Sequence, residues 1–208
     1  FIVASNKNNI LTDFFTTGTY DARREFYKTN APAMDILVSS NLERLVWFMV
    51  NGDSEKVNKY MEELKETGVY KVDDETLARV QKEFKAGCLG EEDVLKVVHD
   101  CWNENKYLLD THTAVGYGVY EEYVKNTGDT TKTILLSTAS PYKFPESVYQ
   151  ALTGEEVDVY TAIEKLHELT GMDISYPLKG IKDREILHKG VIDRDAILDT
   201  IADKIKEY

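Results

Sequence analysis

The sequence predicts an α/β fold, with a three-layer, open and mostly parallel sheet and flanking helices. Three short apolar runs, at residues 1–4, 35–38 and 134–136, have the composition of buried strands, and each one ends in small polar residues. A helical pattern follows each run, and strands that alternate with helices are typical of a parallel sheet. Ligands of such sheets bind at the carboxyl ends of the strands, so the polar turns are the first candidates for a functional site.

The first polar turn joins the strand at residues 1–4 to a helix that begins near Asn9. The helix is predicted because four apolar residues fall on one face: Ile10, Leu11, Phe14 and Phe15. Asn6 and Asn8 lie where the strand becomes the helix. Their amides are suited to an anion or an amino-acid substrate, and equally to capping the helix.

The second polar turn, Ser39-Ser40-Asn41, follows the predicted strand at residues 35–38. The apolar face of the next helix comprises Leu42, Leu45, Val46, Phe48 and Met49. Arg44 lies in its first turn, where a cation opposes the helix dipole, and this suggests a role other than helix stability. An ion pair between Arg44 and Glu43, or between Arg44 and a distant carboxylate, would also explain an arginine at this position.

Residues 53–105 are the part of the chain richest in Glu and Lys, and they predict a peripheral helical layer. Helices begin at the acidic turns near Asp73 and Gly90, where carboxylates compensate the helix dipole, so these turns are not predicted to be a metal site. Phe84-Lys85 is predicted to end a polar helix.

Two further segments carry candidate site residues. Asp110-Thr111-His112-Thr113 precedes a helix of small and β-branched residues, and His112 is either a site-lining residue or an ordinary hydrogen-bonded histidine. The strand at residues 134–136 runs into Ser137, Thr138 and Ser140, followed by Lys143 and a helix that starts near residue 145. Hydroxyls and a lysine suit a phosphate, although a capped strand-to-helix turn would use the same residues.

The predicted organisation has two parts. Residues 1–148 form the main domain, with the helical layer at about 53–105, and residues 149–208 form a helical tail that packs on it. Within the tail, Ile163, Leu166 and Leu169 define one amphipathic helix, and Ile197, Ile201 and Ile205 define the last.

Composition argues against several classes of partner and site. The 37 acidic residues outnumber the 25 Lys and Arg residues, giving a formal net charge of -12. Such a surface repels nucleic acid and anionic membranes, so we expect neither as a partner, and an anionic substrate needs local cations.

No apolar run approaches the roughly 20 residues that span a bilayer, and we expect a cytoplasmic protein. Cys88 and Cys101 lack metal or redox spacing, so no metal is predicted, and a disulfide between them stays open.

Four stretches resemble the threonine synthase family, pyridoxal-phosphate lyases of fold type II, and they occur in the same order. They are SNKNNIL at residues 5–11, MDILVSSNLER at 34–44, DTHTAVGY at 110–117 and LSTASPYKFP at 136–145. The last is similar to the late active-site loop of that family. Together they extend to about residue 148, and from about residue 150 onward no motif matches.

The resemblance implies part of the large domain of such an enzyme, with pyridoxal 5'-phosphate as cofactor. The implied reaction converts O-phospho-L-homoserine and water to L-threonine and phosphate, with the cofactor acting as an electron sink. Thr138 matches the neutral hydroxyl that meets the pyridine nitrogen, and Ser137 lies beside it. The positions that match substrate-binding residues are Asn6, Asn8, Arg44 and Lys143, with Ser39, Ser40, Asn41 and His112 also near the substrate.

The upstream half of the family pattern is missing from this sequence. The lysine that forms the Schiff base with the cofactor and the Gly-rich phosphate loop match nothing here, and the chain opens in an apparent strand without an initiator Met. We therefore expect the C-terminal part of a threonine synthase that needs the upstream half of the enzyme and is inactive alone. The alternatives are a non-catalytic homologue that binds a small molecule or a protein, and a domain with no activity of its own.

Overall fold

The strands form two separate pairs in the computed structural model, which describes residues 1–207. β1 (Ile2–Ser5) runs parallel to β4 (Lys85–Cys88), with Ile2 opposite Lys85 and Ser5 opposite Cys88. β2 (Thr19–Asp21) runs antiparallel to β3 (Val69–Lys71). In the described residues, β1 has β4 on one side and no strand on the other. This open edge of β1 is central to the site described below.

Helices make up most of the first of two compact units, which extends from Phe1 to Ile174. They are α1 (Ile10–Thr17), α2 (Leu42–Met49), α3 (Ser54–Thr67), α4 (Asp74–Glu83), α5 (Glu91–Asn105), α6 (Thr111–Thr127), α7 (Pro145–Thr153) and α8 (Val159–Thr170). Both α1 and α6 pack against the parallel pair β1 and β4. The parallel pair with its packed helices confirms the predicted α/β class.

The second unit begins at Ser175 and contains short 3-10 turns and α9 (Ile197–Lys206). Its apolar residues Ile197, Ile201 and Ile205 are 42%, 50% and 68% exposed. No helix in the described part of the chain has the length and apolar character that a membrane crossing requires.

The core of the first unit is built on α1, and an aromatic stack dominates it. Phe14 is completely buried, and the Tyr20 and Tyr70 rings lie nearly parallel with centroids 5.4 Å apart. Tyr60 stacks on the other side of Tyr70 at 5.5 Å. Burying an aromatic side chain of this size contributes about 1.5–3 kcal/mol. The turn between α1 and β2 depends on Gly18, whose φ of 75° is the left-handed conformation that glycine adopts without strain.

A second group of buried side chains joins α5, α6, α7 and α8. Its members include Val94, Val98, Ala114, Val115, Val148, Ala162, Ile163 and Leu166. Within this group α5 packs against both α6 and α7, and α7 packs against α8.

Three predictions of local structure were wrong. Residues 35–38 and 134–136 belong to no strand, and their apolar side chains are exposed in part, with Val38 at 65% and Ile134 at 88%. An extended apolar run becomes a strand only when a neighbour completes its hydrogen bonds, and the described residues supply none here. The polar helix ends at Glu83, and Lys85–Cys88 forms β4 because it pairs with β1.

Candidate functional site

Asp110 is the centre of the polar cluster at the start of α6. It caps the helix because its Oδ1 accepts the backbone N–H groups of His112 at 2.9 Å and Thr113 at 3.3 Å. Its Oδ2 accepts the Thr113 hydroxyl. Burial raises the pKa of Asp110, but the hydrogen bonds from His112 and Thr113 outweigh it and leave the pKa below its ordinary value. The site therefore contains an ionised carboxylate with no exposed side-chain surface.

His112 is held at both ring nitrogens. Nδ1 lies 3.2 Å from Asp110 Oδ1, and Nε2 accepts the backbone N–H of Ala33 at 3.0 Å. Since a backbone amide can only donate, Nε2 carries the lone pair, and the ring proton lies on Nδ1 toward the carboxylate. The Phe144 ring packs against the imidazole with centroids 4.6 Å apart. His112 is thus a neutral side chain of fixed orientation, 9% exposed.

Ser137 is connected to the same carboxylate through Thr113. The two hydroxyl oxygens lie 3.2 Å apart. The single proton of the Thr113 hydroxyl is donated to Asp110, so the Ser137 hydroxyl donates to Thr113. The hydroxyls therefore form a directed chain from Ser137 through Thr113 to Asp110. Thr138 follows immediately and is exposed, and its hydroxyl has no hydrogen-bond partner within residues 1–207.

A groove of about 710 Å³ opens beside these residues. β1 contributes Ile2 and Ala4 to its lining, and the segment at residues 131–138 lines it as well. His112, Thr113 and Thr138 also line it. The groove places two of the predicted site residues, His112 and Thr138, at one surface.

Asn6 and Asn8 belong to a different cluster, built around the carboxylate of Asp35. Asp35 Oδ1 accepts the side-chain amides of Asn6 at 2.8 Å and Asn8 at 3.0 Å, and the Thr29 hydroxyl at 2.7 Å. The Asn8 side chain also makes two hydrogen bonds to the backbone of Tyr27: its Nδ2 donates to Tyr27 O, and its Oδ1 accepts the Tyr27 N–H. Asn6 is fully buried and Asn8 is 3% exposed. In this arrangement the two asparagines hold the loop at residues 27–35 against the end of β1.

The turn at residues 39–41 forms a third group. The Tyr20 hydroxyl donates to Leu37 O at 3.1 Å and accepts the backbone N–H of Ser39 at 2.7 Å. Arg44 donates to the side chain of Asn41. Ser40, Asn41 and Arg44 are exposed, so this surface is accessible.

Lys143 ends a 3-10 turn after Ser140, whose hydroxyl accepts the backbone N–H of Tyr142. Its ammonium lies 5.6 Å from the centroid of the Phe144 ring, the same ring that packs on His112. The side chain is exposed and forms no ion pair among the described residues.

The predicted site residues thus fall into three groups. His112, Ser137, Thr138 and Lys143 lie around the start of α6, Asn6 and Asn8 lie on the Asp35 cluster, and Ser40, Asn41 and Arg44 lie on the third surface. Their roles stay predictions. Sequence reasoning did not identify Asp110, Thr113, Asp35 or Tyr20. Asp110 was recognisable in principle, since Asp before a helical pattern is an N-cap signal. The partners of Asp35 and Tyr20 depend on chain folding.

Known proteins resemble this chain over most of its length. A family model described as "Threonine synthase, C-terminal" matches residues 113–173. Threonine synthase of Saccharomyces cerevisiae is 37% identical over 166 residues, which are 73% of this chain and 32% of that protein. The crystal structure of threonine synthase from yeast matches 100% of this chain and 42% of its own, with a TM-score of 0.82 and 28% identity. This chain is homologous to the C-terminal part of threonine synthases.

Two more relatives agree. Threonine synthase-like 1 of Homo sapiens is 34% identical over 180 residues, 81% of this chain and 24% of that protein. The PLP-bound threonine synthase from Brucella melitensis has a TM-score of 0.68 and 30% identity over 88% of this chain and 39% of its own. The resemblance to threonine synthase is thus confirmed. The chain spans 32% and 24% of the length of the two curated relatives.

The threonine synthase match at residues 113–173 includes Thr113, Ser137, Thr138 and Lys143. The other predicted site residues precede residue 113. Ser137 and Thr113, the two hydroxyl residues of the directed chain, therefore lie inside the matched C-terminal region. Asp110, which accepts the last hydrogen bond, lies just before that region.

Proposed function

We propose that these residues form the C-terminal part of a threonine synthase, which converts O-phospho-L-homoserine and water to L-threonine and phosphate. The observation that carries the proposal is the match to yeast threonine synthase along the whole chain, with a TM-score of 0.82. The groove beside β1 supports it, because Thr138 and His112 face a space large enough for a small-molecule ligand.

The groove also fits pyridoxal 5'-phosphate as the cofactor. When bound, this cofactor withdraws electrons from the substrate carbons. In our proposal the Thr138 hydroxyl would hold the cofactor at its pyridine nitrogen, and Ser137 holds the adjacent backbone through its bond to Thr113. The Thr138 hydroxyl suits this role because it is exposed at the groove and has no partner in the described residues. A neutral hydroxyl polarises the nitrogen weakly, whereas a carboxylate would favour its protonation.

The substrate phosphate requires cations and N–H donors, because the chain as a whole carries a net charge of -12. Lys143 offers an exposed ammonium beside the Phe144 ring that packs on His112, and Arg44 offers an exposed guanidinium beside Asn41. We assign phosphate binding to these two side chains, with the turn at residues 39–41 contributing polar groups.

The upstream half of the same enzyme is the proposed partner. The Schiff-base lysine and the Gly-rich phosphate loop match no part of this sequence, so these residues alone are not expected to catalyse the reaction. The open edge of β1 and the exposed side chains of Ile134 and Leu136, at 88% and 78%, suit a further strand between them. Parallel strands are normally paired and buried on both faces, which favours such an insertion.

The test is to capture the native protein from its source with an antibody against this chain. Its intact mass is measured, and the captured protein is assayed with pyridoxal phosphate for release of phosphate from O-phosphohomoserine. The proposal expects a product at least about twice as large as this chain, which releases phosphate. A native product of 23.8 kDa without this activity overturns the lyase and leaves the binding of a small molecule or protein as the function.

A further inference from the structure

The Asp110 carboxylate contacts two side chains, His112 and Thr113, which belong to different parts of the site. Its Oδ1 faces Nδ1 of His112, and its Oδ2 accepts the Thr113 hydroxyl, which in turn accepts from Ser137. The side chain is completely buried, so water does not substitute for either partner. One carboxylate therefore fixes both His112 and the end of the segment that carries Thr138.

We propose that Asp110 is a positioning residue, which orients His112 directly and Ser137 through Thr113, and so sets the direction in which Thr138 faces the groove. Its importance for turnover rests on the proposed function. The positioning itself does not, because it concerns contacts within this chain.

The chemistry of the carboxylate supports this role. Ionised Asp accepts at both oxygens, which determines the direction of every proton in the chain from Ser137 through Thr113. In Asp110→Asn, the side-chain nitrogen would donate a hydrogen bond to the Thr113 hydroxyl. The Thr113 hydroxyl would then donate to Ser137, and the Ser137 hydroxyl proton would have no acceptor. Charge-assisted bonds such as that from Thr113 are stronger than neutral ones, so the replacement also weakens the hold on Ser137.

The chain offers a matched control in Asp158, the N-cap of α8. Asp158 accepts the backbone N–H groups of Tyr160 and Thr161 and the Thr161 hydroxyl at 2.5 Å, the same pattern as in Asp110. Tyr160 takes the place of the histidine, and within residues 1–207 the Thr161 hydroxyl forms no further link of the kind that Thr113 forms with Ser137. Asp158 is exposed whereas Asp110 is buried, so Asp158→Asn measures the change of cap at a helix start on the surface.

The experiment compares Asp110→Asn with Asp158→Asn in the 208-residue chain by NMR. Asn is a good N-cap, so both variants keep their helices. We expect Asp110→Asn to shift the His112 ring ¹⁵N signals and the Ser137 and Thr138 signals, and Asp158→Asn to leave them unchanged. Unchanged signals in Asp110→Asn, or equal changes in the control, overturn the proposal.

Thr113→Val keeps the test decisive if Asp110→Asn does not fold. It removes only the hydroxyl, so we expect shifts at Ser137 and Thr138, with the His112 ring signals retained. Thr161→Val is its control and should affect none of the three. If Thr113→Val leaves Ser137 and Thr138 as in the unaltered chain, the link through Thr113 is wrong.

A kinetic measurement addresses catalysis separately, in an enzyme that contains these residues and turns over O-phosphohomoserine. We expect kcat to fall roughly ten- to hundredfold in Asp110→Asn, because a charge-assisted hydrogen bond is lost. An unchanged kcat would overturn the catalytic importance of Asp110. If the unaltered enzyme shows no lyase activity, the proposed function fails, while the NMR comparison still decides the positioning.

Discussion

The backbone N–H of Ala33 donates to Nε2 of His112 at 3.0 Å, joining residues 79 positions apart in sequence. This bond attaches the loop at residues 27–35 to the start of α6. The Asp35 cluster holds the same loop to Asn6 and Asn8 at the end of β1. Two groups of predicted site residues are therefore connected through one loop, although no hydrogen bond among the described residues joins them directly.

Replacing His112 by Ala should release this loop. The Ala33 amide loses its acceptor, and we expect hydrogen exchange at Ala33 to accelerate, with a loss of about 0.5–1.5 kcal/mol in unfolding free energy. His99→Ala is the control, since that ring is 47% exposed and bonds only to Asp100 and Asn103 on the same helix. Equal exchange at Ala33 in both variants would contradict this role of His112.

The Tyr20 hydroxyl should fix the turn at residues 39–41. In Tyr20→Phe, Leu37 O and Ser39 N lose their partner, and we expect a loss of about 1–3 kcal/mol together with faster amide exchange at Ser39. Tyr60→Phe removes a hydroxyl from the same aromatic stack, but one that binds Asp73. If Tyr60→Phe accelerates exchange at Ser39 as much as Tyr20→Phe does, the effect comes from the stack and not from the hydroxyl bond.

Acid should destabilise the chain partly through Asp110. Its pKa in the folded chain lies below the ordinary value of 3.8, so the unfolded chain binds the proton more readily. The contribution of ionised Asp110 to the free energy of unfolding is fully present above pH 3.8. This contribution is lost as the pH falls from 3.8 toward the pKa of Asp110 in the folded chain. Urea unfolding between pH 7 and pH 3 should show a shallower acid decline for Asp110→Asn than for the unaltered chain. A parallel decline would mean that other carboxylates account for it.

Close packing at Gly118 should make even a methyl group costly. A Cβ there would lie 2.9 Å from Val97 Cγ2 and closer still to Leu89, so Gly118→Ala should destabilise by about 1–3 kcal/mol despite the helix preference of alanine. Gly116 lies on the same helix, and its added Cβ would meet Leu135 Cδ1 at 3.2 Å, the end of a side chain that is 36% exposed. Gly116→Ala should therefore be neutral or stabilising by up to about 1 kcal/mol. Thermal unfolding of the two variants tests the difference, and equal destabilisation would contradict it.

Thr138 and Lys143 should affect different kinetic constants in the complete enzyme. Thr138→Ala removes the hydroxyl assigned to the cofactor, so kcat should fall, whereas Lys143→Ala should raise the KM for O-phosphohomoserine by weakening phosphate binding. Lys182→Ala, an exposed lysine of the second unit, is the control and should change neither constant. Unaltered turnover in Thr138→Ala, or an unaltered KM in Lys143→Ala, would contradict the corresponding role.

Helices were predictable because their signals are local. The pattern correctly placed the acidic first turns of α4 and α5, the apolar faces of α1 and α2, and the helix that starts at Pro145. Strands were less predictable. Residues 35–38 and 134–136 have strand composition but no partner strand, and Lys85–Cys88 is a strand only because β1 lies beside it. The composition of a segment does not show whether another strand lies beside it in the folded chain.

By itself, the sequence determined the α/β class, most helices and the likeness to threonine synthase, because periodicity, capping and motifs are properties of consecutive residues. Only the tertiary structure decided which polar residues share partners. Asp110 binds residues close in sequence, but the bond between Thr113 and Ser137 spans 24 positions, and the bond from Ala33 to His112 spans 79. Hydrogen bonds act over about 3 Å, so such pairings depend on how the helices and loops pack.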